Sequence, residues 1–135
     1  MEREPYPFEE DIAERFRVGG KWAASPKSEW IRGYLLTFGR GCPYEMWKRY
    51  CEFAERLGIR PGSYISFARH VWLLKRLGLI EPIGEEPRPG GFPRTVYRVV
   101  PGMEDSPLWK RPMQALYPST DWTGPRKEEY RERYR

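Results

Sequence analysis

The chain of 135 residues has the length of one compact domain with short terminal extensions. Its apolar share of 39% is low, and an aromatic share of 16% offsets it, because a few large rings can fill a small core. The net charge is a modest +5 and no apolar run approaches the length of a membrane span, so no membrane partner is expected.

Residues 8–17 read as a short acidic helix, with Phe8, Ile12, Ala13 and Phe16 at helical spacing before Gly19 and Gly20. Ser25-Pro26 reads as a cap followed by proline in the first turn of a second helix, whose inner face carries Trp30, Ile31, Tyr34, Leu35 and Phe38. Gly39 and Gly41 close it. Pro43 opens a third helix running to Leu57, with Met46, Trp47, Tyr50, Ala54 and Leu57 inward and Gly58 as its stop. After the tight link Ile59-Arg60-Pro61-Gly62, Ser63 caps a fourth helix from about Tyr64 to Leu77, ended by Gly78. Residues 79–83 and 95–100 are strand-like, and the Pro/Gly-rich stretch from Gly84 to Arg94 makes them a β-hairpin. Four prolines between 107 and 125 exclude long helices from the tail, although Arg126–Arg135 can form a short charged one. The expected class is mainly α with a small hairpin (α+β), divided into an N-terminal helix and extension (1–24), a central domain (25–100) and a C-terminal extension (101–135).

Charge follows the same division. Residues 1–24 hold four basic and six acidic groups, whereas residues 25–100 hold thirteen basic and seven acidic ones. A basic centre fits either a polyanionic partner or a solvated surface of arginine and lysine. Asparagine is absent and Gln114 is the single glutamine, a depletion of thermolabile amides that points to a thermophilic source. The acidic, proline-containing start lacks the pattern of a secretory leader, and the location expected is the cytoplasm.

Few residues suggest reaction chemistry. Cys42 and Cys51 are nine apart around one predicted helix, a rise of roughly 13 Å that is too long for a disulfide. They also lack the Cys/His neighbours of a zinc site. His70, the single histidine, borders the inner face of the fourth helix and reads as a structural residue. Glu9-Glu10 and Glu128-Glu129 read as solvated pairs on charged helix faces. No phosphate-binding glycine loop and no nucleophile elbow is present, so no enzyme, cofactor or metal is expected.

Three helices followed by a hairpin is the order of a winged helix-turn-helix domain. The run Leu57-Gly58-Ile59 followed by Ser63 to Ile80, with Val71, Leu74, Leu77, Gly78, Leu79 and Ile80 at its end, resembles the helix-turn-helix of winged-helix transcription regulators over about residues 26–100. The resemblance identifies a superfamily and no narrower family. It implies a protein of double-stranded DNA, either a transcription regulator or a nucleoid-associated architectural protein, with the helix at 64–77 in the major groove. Placing Phe67, Val71 and Leu74 inward turns Ile65, Arg69, Trp72, Leu73 and Arg76 outward, with Ser66 at the border. Arg69 then faces bases, Ser63 and Ser66 face phosphate or bases, and Arg76 faces backbone phosphate. Arg60 in the preceding turn is the best of several candidates for sequence-independent contacts, with Lys27, Arg40, Lys48, Arg49 and Arg56. Arg88 and Arg94 flank a proline-stiffened loop and form a wing contact.

Ile65, Trp72 and Leu73 are more apolar than a plain groove-binding face requires. Either another part of the chain covers them, or the helical phase is one position off, or they meet a second copy or a protein partner together with Trp109 and Trp122 of the tail. A protein–protein or RNA-binding module inside a larger nucleic-acid-processing or ribosomal assembly is the alternative to DNA binding.

Overall fold

The computed structural model describes residues 3–19, 26–110, 112 and 115. Its order is α1 (Pro7–Gly19), α2 (Pro26–Phe38), α3 (Pro43–Leu57), α4 (Tyr64–Arg76), β1 (Ile80–Glu86) and β2 (Arg94–Val99), followed by one turn of 3-10 helix at Pro107–Trp109. The fold is mainly helical with a two-stranded antiparallel hairpin. No described helix is long and apolar enough to cross a membrane.

Proline opens each of the first three helices, where its fixed φ suits the first turn and its missing N–H costs no bond. Glycine ends α3: Gly58 takes the left-handed conformation (φ 69°), and the N–H groups of Gly58 and Ile59 close on the carbonyls of Glu55 and Ala54. The same device returns the chain from α4 into β1, with Leu79 N–H bonded to the Leu74 carbonyl. Ser63 caps α4 by accepting the Ser66 N–H at 3.1 Å.

The core is built around rings. Trp30 is fully buried, with Phe8, Tyr34, Tyr50 and Phe67 each within 6.5 Å of it, centroid to centroid. Ile12, Ile31, Leu35, Met46, Val71, Leu74, Leu79 and Ile80 fill the space around this stack. Helix α1 lies so close to α2 that a methyl group on Gly33 would sit 2.4 Å from the Phe8 ring, which leaves room only for glycine.

The hairpin pairs Ile80 with Val99, Glu81 with Arg98 and Glu86 with Arg94, with an irregularity between Pro82 and Gly84. Strand β1 therefore runs three residues farther than the sequence pattern predicts, because the bulge lets Gly84, Glu85 and Glu86 rejoin the ladder. Both backbone groups of Tyr97 bond to Gly41, in the link between α2 and α3, at 2.9 and 3.0 Å. Tyr97 consequently asks nothing of Pro82 opposite it, and proline is tolerated in the strand.

Three expectations change at this level. Leu73, placed outward by helical phase, is 3% exposed: α4 touches α2, α3 and β1, so its apolar arc is wide enough to take both Leu73 and Leu74 inside. Trp109, a candidate partner contact, is buried against the domain, its indole N–H donating to the Met103 carbonyl at 2.7 Å. Glu9, read as solvated, is 2% exposed. Trp122 and the 126–135 segment lie outside the described residues, as does Ser25.

Candidate nucleic-acid interface

The two sides of the molecule treat charge differently. On the α1 side the cations are matched. Arg3 grips the Glu9 carboxylate with both terminal nitrogens, at 2.6 and 2.8 Å, and bonds Glu52 through Nε. The same carboxylate accepts the Trp30 indole N–H at 2.9 Å and the Tyr6 N–H at 2.8 Å, and Arg56 lies 3.6 Å away. Glu9 is thus the third helical residue of α1 reaching back to its cap, and also an anchor for the chain start. Burial pushes its pKa up, but the bonds from Arg3, Trp30 and Tyr6 outweigh this and hold it below the ordinary carboxylate value. The cue in the sequence was local: Glu9 follows Tyr6 by three and sits beside the Phe8/Ile12 stripe.

On the α4 side the cations are unmatched. From Arg56 to Ile80 the sequence contains no carboxylate. Arg60, Arg69, Lys75 and Arg76 are all exposed, and none has a carboxylate within 4.0 Å among the described residues. Ile65, Arg69, Trp72 and Arg76 fall at intervals of four, three and four, so apolar and cationic groups alternate along one exposed stripe of α4. Ile65 is 64% and Trp72 53% exposed, and the Arg76 guanidinium lies over the Trp72 ring at 5.8 Å. At the helix start the Lys27 ammonium donates to the Ser66 hydroxyl at 3.4 Å. Burial pushes the Lys27 pKa down.

Beneath this end of α4, His70 and Ser28 are hydrogen-bonded to each other. Burial, with the nearby Lys27 charge as a smaller contribution, pushes the His70 pKa down to about 4, so the imidazole is neutral at pH 7. It acts as a polar strut between α2 and α4.

The sequence candidates divide accordingly. Arg60, Ser63, Ser66, Arg69 and Arg76 are all exposed, on α4 or in the turn that precedes it. Arg88 is exposed on the hairpin loop with no ion-pair partner among the described residues. Arg94 is not a loop-tip residue: it begins β2, its Nη1 bonds Glu45 of α3 at 2.6 Å, and its guanidinium covers the Tyr44 ring at 5.2 Å. It ties the hairpin to α3. Four other cations considered for phosphate contact are partnered as well, Arg40 with Glu86, Lys48 with Glu45, Arg49 with Glu52 and Arg56 with Glu9.

One feature escaped sequence reasoning. A cleft of about 460 Å³ opens between the start of α3, the start of α4 and the hairpin. Tyr44, Tyr64, Phe92 and Tyr97 supply its rings, and Arg88 and Arg94 its charge. Two of these rings, Tyr44 and Tyr64, pack against each other and against Trp47, with centroids 5.4 to 5.9 Å apart. Residues so distant in sequence leave no periodic signal. Among the described residues no group of three His, Cys, Asp or Glu is placed to hold a metal ion. No family model, curated protein or solved structure matches the chain.

Proposed function

We propose that the protein binds double-stranded DNA as a winged helix-turn-helix domain, with α4 in the major groove and the hairpin loop as the wing. The observation that carries this reading is the carboxylate-free exposed side of α4, with Arg60, Arg69 and Arg76 unpaired on it. Phosphate attraction dominates nucleic-acid affinity, and unpaired arginines supply it without first breaking an ion pair. The connectivity supports the same reading: α2, α3 and α4 lead directly into the hairpin, and Gly41 between α2 and α3 adds a one-residue bridge to β2. In this reading Arg69, exposed one turn into α4, makes the bidentate bonds to guanine. Arg60 and Arg76 hold backbone phosphates at the two ends of the helix, Ser63 and Ser66 add contacts at its start, and Arg88 reaches the adjacent groove.

Replacing Arg69 by alanine tests this. Fluorescence anisotropy with a preferred duplex should show affinity lower by about 1–3 kcal/mol, with the circular dichroism spectrum and melting temperature unchanged. Unchanged affinity would remove α4 as the recognition helix.

A second reading, a protein-docking module, is favoured by the exposure of Ile65 and Trp72. With Leu73 inside, that surface is two side chains separated by Arg69, smaller than the sequence suggested. Trp72→Glu separates the readings, since loss of a protein partner with duplex affinity retained would support the module.

A further inference from the structure

The cleft beside α4 has a chemistry that its own residues do not use. Its walls combine four aromatic rings with two guanidiniums, and no carboxylate lines it. The two carboxylates at its border are already engaged, Glu45 by Arg94 and Lys48, and Glu86 by Arg40. Arg88 has no ion-pair partner among the described residues, and Arg94 Nε is buried with no hydrogen-bond acceptor. Phe92 is 90% exposed at the cleft rim, a large ring held in water by a loop stiffened with prolines on both sides. The open face of Phe92 and the unpaired Arg88 thus offer, side by side on the cleft wall, a stacking surface and a phosphate donor. The volume falls within the roughly 300–1,000 Å³ of small-molecule sites.

We propose that this cleft receives one unpaired nucleotide, its base among Tyr44, Tyr64, Phe92 and Tyr97 and its phosphate on Arg88, in place of the groove contact that Arg88 makes on uninterrupted duplex. Rings accept any base by its face, and an arginine fork beside them takes the phosphate that follows. Tyr64 belongs both to the cleft and to the first turn of α4. A strand leaving a duplex held by α4 therefore meets the cleft as its next surface, and in this form the inference rests on the DNA-binding reading. The protein would then distinguish the junction between double and single strand from uninterrupted duplex. The same chemistry is offered by a free nucleoside monophosphate.

The test compares three probes by fluorescence anisotropy: a blunt duplex, the same duplex with a short single-stranded extension, and that extension with abasic sites in place of its bases. Adenosine monophosphate is titrated separately, with intrinsic fluorescence as the readout. The extension is expected to tighten binding by at least about fivefold over the blunt duplex, and the abasic extension to lose most of that gain. Phe92→Ala, which removes an exposed ring without touching the core, should abolish the gain of the extension over the blunt duplex measured with the same variant, whatever its absolute affinity. Equal affinity for all three probes, with no response to the monophosphate, would overturn the cleft proposal and leave the α4 reading standing. A monophosphate response lost in Phe92→Ala, with no gain from the extension, supports the nucleotide chemistry and assigns it to a free ligand. Failure of the blunt duplex to bind, with the monophosphate still bound, would overturn the α4 reading alone, and silence of every probe would overturn both.

Discussion

Glu9 and Arg69 sit in opposite surroundings, and the difference between them separates a side whose charges are bonded within the fold from one whose cations are left unpaired. Around Glu9 the cations have their counterparts: Arg3 is bonded to Glu9 and Glu52, and Arg56 lies within ion-pair distance of the same carboxylate. Around Arg69 the guanidiniums face water with no carboxylate in reach among the described residues. A buried, fully bonded carboxylate fixes the position of helices, because leaving any of its partners alone in the interior is expensive. Exposed cations without partners add nothing to folding and repel one another. They are tolerated where an outside anion supplies the missing charge. One side thus serves the fold, and the other carries the unpaired cations on which the DNA-binding proposal rests.

Removing the Glu9 carboxylate breaks this comparison most forcefully. Glu9→Ala strands Arg3 and the Trp30 indole, and should lower unfolding free energy by about 3–5 kcal/mol, measured by urea denaturation. Duplex affinity of the protein that remains folded should not change. A loss of binding without a loss of stability would reverse the roles assigned to the two sides.

The His70 strut comes next. Its pKa is about 4 in the fold and 6.5 as the ordinary value, so the unfolded chain binds the extra proton first as pH falls. The stability that depends on a neutral His70 is complete above pH 6.5 and is lost as pH falls toward 4, by roughly 3 kcal/mol. Unfolding curves at several pH values should show this slope in the parent and a much smaller one in His70→Gln. Glu9 adds its own loss below the ordinary carboxylate range, since its pKa is lowered by folding. That second slope should persist in the glutamine variant.

The exposed pair Arg98–Glu81, 2.7 Å apart across the hairpin, should matter least. Arg98→Ala is expected to cost at most about 1 kcal/mol in a melting experiment, in line with solvent-exposed ion pairs. A larger cost would mean that surface pairing, and not the buried Glu9 network, holds the fold.

The helices were legible because local rules decide them. Proline at their starts, glycine at the ends of α3 and α4, and apolar spacing between place α2, α3 and α4 within a residue or two of the sequence reading. Leu73 was misplaced because a helix that touches three neighbours has no single inner line, and spacing alone cannot measure the width of its buried arc. The last residues of β1 were missed since Gly84, Glu85 and Glu86 have little strand tendency of their own. Cross-strand partners and a bulge hold them there. The α4 cations were visible in the sequence, whereas their lack of partners was not, because pairing depends on carboxylates from other elements. Arg94 shows the converse: a loop arginine by sequence, it is tied by Glu45, 49 positions away.

The most direct test of the central claim is duplex binding measured by anisotropy across a series of salt concentrations. If Arg60, Arg69, Arg76 and Arg88 all meet phosphate or base, log affinity should fall linearly with log salt at a slope of about −3 to −4, and Arg60→Ala should flatten it by about 1. No measurable binding at low salt, or binding indifferent to salt, would contradict the account and leave the unpaired face to a partner other than nucleic acid.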